Sequence, residues 1–130
     1  MKRRKKLNLV ISDIKILDTV NELNKMNRYP SYLGVYKILS GSKEADYIQY
    51  EDLSTYCTLT SPSLKKLSRQ IANLIRHDFL IKIYSVDAPE EEYLQISEKG
   101  VLTLLEFHKK RKTPYKKIEK KTKVEIMEIH

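Results

Sequence analysis

Residues 61–76 constrain the fold of this chain more than any other segment. Ser61 followed by Pro62 is a typical helix start, with serine at the N-cap and proline in the first helical position. Apolar residues then recur at helical spacing, namely Leu64, Leu67, Ile71, Leu74 and Ile75. We therefore predict an amphipathic helix that begins at Ser61 and ends near Arg76.

The opposite side of this predicted helix is cationic and amide-bearing: Lys65, Lys66, Arg69, Gln70, Asn73 and Arg76. Charged helix faces are usually only solvated surfaces. Here, however, no acidic residue occurs between Leu53 and His77, so nothing nearby in the sequence compensates the charge. This pattern favours a helix face that meets a polyanion such as DNA.

Two further helices are expected before this segment. Ser12 is predicted to cap a helix over 13–27, and Ser31 a second helix that runs through Leu39 and ends at Gly41. Between them, Tyr29-Pro30 interrupts the helical pattern, because a residue before proline is pushed out of the helical region.

The segment between Gly41 and the cationic helix is less regular. Tyr47–Tyr50 alternate like a brief strand, and Glu51–Tyr56 could form a helical turn.

After the cationic helix, Phe79–Tyr84 and Glu92–Ile96 are rich in strand-forming residues and flank a turn region, which predicts a β-hairpin. Ser97 then opens a last helix through about Arg111. Its residues expected in the core are Val101, Leu104 and Leu105.

This order of elements predicts an α+β fold, a mostly helical winged helix-turn-helix with one β-hairpin wing. With 130 residues, the chain has room for one domain. We expect a basic N-terminal arm over 1–11, the winged helix over 12–111 and a basic C-terminal tail over 112–130.

The net charge of +8 is concentrated in the two tails. Residues 1–6 carry +5, residues 7–100 carry 11 − 13 = −2, and residues 101–130 carry 9 − 4 = +5. No apolar run is long enough for a membrane span and no signal peptide is recognisable, so we expect a cytoplasmic protein. A single cysteine and scattered histidines predict no metal, no cofactor and no internal disulfide.

Four runs of the sequence resemble successive landmarks of the RecQ C-terminal (RQC) winged helix. They are Ile38-Leu39-Ser40-Gly41-Ser42-Lys43, Asp52-Leu53-Ser54-Thr55-Tyr56, Leu74-Ile75-Arg76-His77-Asp78-Phe79-Leu80 and Tyr93-Leu94-Gln95-Ile96-Ser97-Glu98-Lys99-Gly100. The resemblance covers roughly residues 13–106. It implies binding to duplex or forked DNA.

By the same resemblance, phosphate contacts are expected from the loop Gly41–Lys43, the turn Ser54-Thr55 and the start of the cationic helix. The full set of expected DNA-binding residues is Ser42, Lys43, Ser54, Thr55, Ser61, Ser63, Lys65, Lys66, Arg69, Gln70, Asn73 and Arg76. The sequence departs from the family pattern at Cys57, where glycine is usual. The hairpin is also acidic, with Asp87, Glu90, Glu91 and Glu92 near its tip.

Two classes of function remain open at this stage. The first is DNA binding, as a regulator or as an accessory factor in replication, repair or a mobile element. The second is a winged helix that serves as a protein-interaction module, with a helicase or another protein as partner. Neither a phosphate-binding loop nor a nucleophile–base motif is recognisable, so we expect no enzymatic activity.

The C-terminal tail combines a polycationic run, Lys116 to Lys123, with four apolar residues, Val124, Ile126, Met127 and Ile129. A lysine-rich segment with few aromatic residues is usually solvated. Alternatively, Val124–Ile129 docks on its own domain or on a second copy, which would make a homodimer through the C-terminal tail.

Overall fold

Helices form most of the molecule, and a single antiparallel hairpin extends from them. The computed structural model describes residues 8–59, 63–111 and 114–118. The elements are α1 (Ile11–Lys25), α2 (Tyr32–Ser40), α3 (Ala45–Ile48), α4 (Leu64–Arg76), β1 (Leu80–Tyr84), β2 (Glu92–Ile96) and α5 (Glu98–Lys110). The predicted fold class, a mostly helical winged helix with one hairpin, is confirmed.

Several helix ends lie where the local sequence predicts them. The Ser31 hydroxyl accepts a hydrogen bond of 3.0 Å from the Gly34 amide at the start of α2. Gly41 ends that helix in the left-handed conformation, with φ of 75°. Ser97 likewise accepts a hydrogen bond of 3.0 Å from the Gly100 amide, which caps α5. These caps satisfy backbone groups that a helix end leaves unpaired.

The prediction that Ser12 caps the first helix is wrong. Helix α1 begins at Ile11, and the carboxylate of Asp13 reaches back to accept a hydrogen bond of 3.0 Å from the Val10 amide. A carboxylate in the first turn also interacts favourably with the helix dipole, which a hydroxyl does not. The cationic helix also starts later than predicted, since α4 begins at Leu64 with Ser63 as its N-cap. Ser61 and Pro62 lie outside the described residues.

The brief strand predicted over Tyr47–Tyr50 is also wrong. Residues 45–48 form the short helix α3, and a succession of tight turns follows. In these turns the amides of Tyr50, Leu53 and Tyr56 each bond to the carbonyl three residues earlier, at 2.9–3.1 Å. A spacing of three brings all these side chains to one side, where they pack around Leu23. No helical turn is assigned over Glu51–Tyr56, where the chain forms this succession of turns instead.

Helix α1 lies at the centre of the fold. It packs against α2, α4, α5 and β2, so each other major layer of the domain meets the same helix. Its fully buried side chains include Ile16, Leu17 and Val20. The main core also contains Val35, Leu39, Leu67, Ile71, Leu74, Phe79, Leu80, Leu94 and Leu104.

The hairpin is fixed to the helices along β2. Its strands pair in the register Leu80 with Ile96 through Tyr84 with Glu92, and Leu80 and Leu94 fill its buried side. Two backbone amides on the outer edge of β2 are also hydrogen-bonded to the helical part of the domain. The Leu94 amide donates to the Pro30 carbonyl at 2.8 Å, and the Ile96 amide donates to the side-chain oxygen of Asn24 at 2.8 Å.

Helix α5 presents two different sides. Leu104 is 2% exposed and packs in the core, and Val101 is half-buried. Leu105, which we expected in the core, is instead 63% exposed, and Leu102 is 58% exposed. The reason is that α5 packs mainly on one partner, α1, and a residue adjacent to Leu104 is turned about 100° away from that contact.

Residues 114–118 form what we call the C-terminal strap, which lies against the domain beyond the end of α5. The Tyr115 hydroxyl donates to the buried carboxylate of Asp18, which also bonds His108 Nε2 at 2.7 Å. The Ile118 amide donates to the Cys57 carbonyl at 2.8 Å. The segment predicted as a tail therefore begins with ordered contacts. Val124–Ile129 lie outside the described residues, so their docking stays a prediction.

Cys57 adopts a backbone conformation that favours glycine, the residue that the family resemblance led us to expect at this position. Its backbone is left-handed, with φ of 57°, which costs a residue other than glycine about 1 kcal/mol or more. Its thiol is buried near Gly41, and a Cβ atom added at Gly41 would lie only 2.4 Å from the Cys57 sulfur. The Cys57 side chain therefore fits only because residue 41 has no Cβ atom.

Gly41→Ala is expected to lower the free energy of unfolding by about 2 kcal/mol, because it adds left-handed strain and a clash with Cys57. In a Cys57→Gly background the same change should cost less, since the clashing sulfur is gone. Urea unfolding of the two single variants and the double variant measures this coupling. Gly34→Ala is the control, because its Cβ would meet nothing closer than 3.4 Å. Additive effects of Gly41→Ala and Cys57→Gly would contradict this account.

Tyr115→Phe is expected to reduce stability by about 1 kcal/mol near neutral pH, because it removes a partly buried bond to a carboxylate. Burial and the bond to Asp18 raise the pKa of Tyr115 above its usual range. The unfolded chain ionises this hydroxyl near pH ~10, so its contribution is full below that pH and is lost as the pH rises further. Urea unfolding from neutral pH to about pH 11 should therefore show the difference between the two proteins narrowing. If wild type and Tyr115→Phe differ in free energy of unfolding by the same amount at neutral pH and at about pH 11, this account of Tyr115 is wrong.

Candidate nucleic-acid interface

The outer side of α4 is a continuous cationic surface. Lys65, Lys66, Arg69 and Arg76 are exposed, and Asn73 is half-buried. The opposite side of the same helix is fully committed to the core by Leu67, Ile71 and Leu74. Because the buried residues recur every three or four positions, the cationic residues share the remaining side. We call Lys65, Lys66, Arg69, Asn73 and Arg76 the cationic face of α4.

The start of α4 adds to this positive potential. The Ser63 hydroxyl accepts a hydrogen bond of 3.3 Å from the Lys66 amide, so its role is to cap the helix. The first turn contains Lys65 and Lys66 and no acidic residue. The helix dipole places partial positive charge at the same end. An anion bound there would therefore be attracted both by the helix end and by the two lysines.

Gln70, predicted as part of this surface, is half-buried and bonds inside the domain through its amide nitrogen. Its amide nitrogen donates to the Ser12 hydroxyl at 2.7 Å and to the Asp13 carboxylate at 3.0 Å. Both amide protons are therefore used inside the domain, where they join α4 to the first turn of α1. A DNA contact from Gln70 stays a prediction.

In the loop Gly41–Lys43, the side chain that projects outward is Lys43. The Ser42 hydroxyl donates to the Glu44 carboxylate at 3.0 Å. Glu44 also pairs with Lys37, and the hydrogen bonds from Lys37 and then Ser42 lower the pKa of this carboxyl. Lys43 itself is exposed, with its amine 5.9 Å from the ring centre of Tyr56.

The turn Ser54-Thr55 differs most from the prediction. Thr55 is fully buried, and its hydroxyl lies 2.6 Å from the Thr19 hydroxyl, so it has no access to a phosphate. The Ser54 hydroxyl is exposed but donates to the Glu22 carboxylate at 2.6 Å. Both partners are on α1 and were missed in the sequence, because they lie 36 and 32 residues away along the chain.

The family model for the RQC domain matches residues 7–123, which is most of the chain. The chain belongs to the RQC domain family. No curated protein matches it at a significant level.

The wing of this RQC domain has an acidic tip. Asp87 and Glu90 are exposed there. Glu91 accepts from the Tyr93 hydroxyl, and this hydrogen bond raises the pKa of Tyr93. Glu92 pairs with Lys82 at 3.2 Å. One cationic side chain of the wing is therefore already neutralised by its neighbour across the strands.

The two wing tyrosines lie on different sides of the hairpin. Tyr93 is half-buried opposite Ile83, as expected for cross-strand packing, whereas Tyr84 is 55% exposed opposite Glu92. Residues next to each other on a strand alternate between its faces, so Tyr84 shares the side of Leu80 and Leu94, and Tyr93 lies on the other side. Tyr84 is exposed even though it lies on the side that Leu80 fills nearer the helices.

Other kinds of site find no support within the described ranges 8–59, 63–111 and 114–118. These residues contain no group of three or more histidine, cysteine or acidic side chains placed to hold a metal ion. Nor does any helix among them have the length and apolar character needed to cross a bilayer.

Proposed function

We propose that this RQC domain binds duplex or forked DNA through the cationic face of α4. The observation that carries the proposal is the shared exposure of Lys65, Lys66 and Arg69 on one side of a helix whose other side is core. A helix before the hairpin is the one that meets DNA in winged helix-turn-helix proteins. Membership of the RQC family supports DNA binding as the use of the fold.

The contacts proposed are mainly with phosphates. Lysine and arginine side chains neutralise the backbone and release counterions, which supplies affinity without selecting a base sequence. Arg76 and Asn73 extend the face toward the end of α4, and Lys43 contributes from its loop. Ser63 acts indirectly, because its hydroxyl fixes the helix start.

The proposed role is that of a binding module rather than an enzyme. Such a module suits a regulator or an accessory factor in replication, repair or a mobile element, alone or beside a partner helicase. The exposed acids Asp87 and Glu90 would be repelled by phosphates, so we propose that the wing tip stays away from the DNA backbone.

Replacing Lys65, Lys66 and Arg69 together by alanine tests the central claim. Affinity for every duplex should fall, and the slope of log K against log salt should flatten by about 0.9 for each phosphate that is no longer neutralised. Fluorescence anisotropy with duplex, forked and single-stranded DNA over a salt series measures both quantities. The fold should persist, because all three side chains are exposed.

The matched control replaces Lys25, Lys110 and Lys116, which are also exposed but belong to α1, α5 and the C-terminal strap. It removes the same net charge, so any change common to both triple variants reflects long-range attraction alone. If the two variants bind alike and with equal salt slopes, the cationic face of α4 is not the binding surface.

A second experiment separates the loop from the buried turn. Lys43→Ala should flatten the salt slope by about 0.9 while leaving stability unchanged. Thr55→Val should do the reverse, since it breaks the buried pair with Thr19 and lowers the free energy of unfolding by about 1–2 kcal/mol. If Lys43→Ala leaves the slope unchanged, or Thr55→Val changes it in folded protein, the assignment of these two residues is wrong.

Use of the domain as a protein-interaction module is the second candidate. The observation that favours it is the pair of exposed leucines on the outer side of α5, Leu102 and Leu105. A surface of this kind, separate from the cationic face of α4, is compatible with simultaneous DNA binding.

A further inference from the structure

Helix α5 has an outer side that carries exposed apolar residues. On its inner side, Leu104 is buried and His108 bonds to Asp18. On the outer side, Leu102 and Leu105 are 58% and 63% exposed. Single exposed apolar residues are common, but residues three apart on a helix are neighbours and form one apolar patch.

Charged residues extend this patch at both ends of the helix. Glu98, Leu102, Leu105 and Lys109 follow one another at intervals of four, three and four, the spacing of a coiled-coil contact stripe. Glu98 lies in the first turn of α5 and Lys109 in the last, and both are exposed. Within the described part of the chain neither takes part in an ion pair. We call these four residues the outer seam.

The outer seam is complementary to itself when it is reversed. A two-fold axis that crosses α5 between Thr103 and Leu104 exchanges position 98 with 109 and position 102 with 105. In an antiparallel pair, Leu102 would therefore meet Leu105 of the second copy, and Glu98 would meet Lys109 of the second copy. A symmetric dimer requires such an isologous surface, in which each contact occurs twice.

We propose that a second copy of this chain docks on the outer seam and forms an antiparallel α5–α5 dimer. The dimer contains two contacts between Leu102 and Leu105, bounded by two ion pairs. This surface differs from the C-terminal tail suggested by the sequence, because it consists only of residues in α5. The inference does not depend on DNA binding, since association is measured without nucleic acid.

A groove on another side of α5 is a separate partly apolar surface. It has a volume of about 310 Å³ and lies between the start of α1 and α5, where Val10, Ile11, Thr103 and Phe107 contribute to its walls. Val10 is 55% and Ile11 44% exposed. One helix pair of about 20 Å buries less than the ~1,200–2,000 Å² of a standard interface, so we expect a dissociation constant on the order of 10–100 μM.

Sedimentation equilibrium of the full chain from about 10 μM to 1 mM, a range that brackets the expected dissociation constant, measures the association. Leu102→Gln with Leu105→Gln should leave the domain folded and monomeric throughout the range. Glu98→Lys and Lys109→Glu should each weaken dimerisation roughly tenfold, because two attractive pairs become two repulsive ones. Glu90→Lys, on the wing tip, is the matched charge control and should dimerise like the wild type.

Mixing the two reversed variants gives the sharpest test of the antiparallel geometry. In a heterodimer of Glu98→Lys with Lys109→Glu, both end contacts again join opposite charges, so affinity should return to the wild-type value. The double variant with both reversals should likewise recover its own homodimer. Loss of fold or a nonspecific charge effect would produce neither recovery.

Three results would overturn the proposal. One is a wild-type protein that remains monomeric at 1 mM, well above the dissociation constant of about 10–100 μM expected for this surface. Another is a dimer that persists unchanged in the double glutamine variant. The last is a mixture of reversed variants that associates no better than either alone. Deleting residues 119–130 distinguishes this dimer from one made by the C-terminal tail. A dimer made by the tail would disappear on deletion, and a dimer made by α5 would remain.

Discussion

The side chain of Asn24 joins the helical and β parts of the domain. Its oxygen accepts from the Ile96 amide at 2.8 Å, and its nitrogen donates to the Arg28 carbonyl at 2.9 Å. Together with the Pro30 carbonyl, which takes the Leu94 amide, it occupies the edge of β2 as a third strand would. Exposed strand edges are otherwise free to pair with other chains. Asn24 and the Pro30 carbonyl therefore hold the hairpin against the helices and cover its edge.

Contacts along α1 also determine which side chains remain available for DNA. From its end to its start, Glu22, Thr19 and Lys15 bind Ser54, Thr55 and the Thr58 carbonyl in turn. The hydroxyls of Ser54 and Thr55 are therefore hydrogen-bonded to α1. The amide nitrogen of Gln70 is likewise bonded to the first turn of α1. Among the residues predicted to bind DNA, the charged side chains that face outward are those of α4 and Lys43. The proposed interface is therefore defined as much by internal hydrogen bonding as by helix periodicity.

Features encoded by neighbouring residues could be predicted from the sequence, and those that depend on distant contacts could not. Ser31 and Ser97 bond amides three residues away, so their caps are visible in the sequence. The burial of Thr55 depends on Thr19, and that contact leaves no local pattern. The exposure of Leu105 could not be predicted for a similar reason. Helical periodicity shows that the residue is apolar, but it does not show how many other elements pack against the helix. The family resemblance located the turn correctly and was misleading about the exposure of one of its hydroxyls.

The C-terminal strap has a consequence for the chemistry of the only thiol in the molecule. Ile118 bonds the Cys57 backbone at 2.8 Å, and the Cys57 thiol donates to the Ile118 carbonyl at 3.6 Å. Alkylating reagents reach a buried thiol only through opening motions, whose frequency then limits the reaction. The rate at which Cys57 is alkylated in native protein therefore reports how often the strap lifts, without any label being introduced. Cys57 therefore serves as a natural probe for the opening of the contact between Ile118 and the domain.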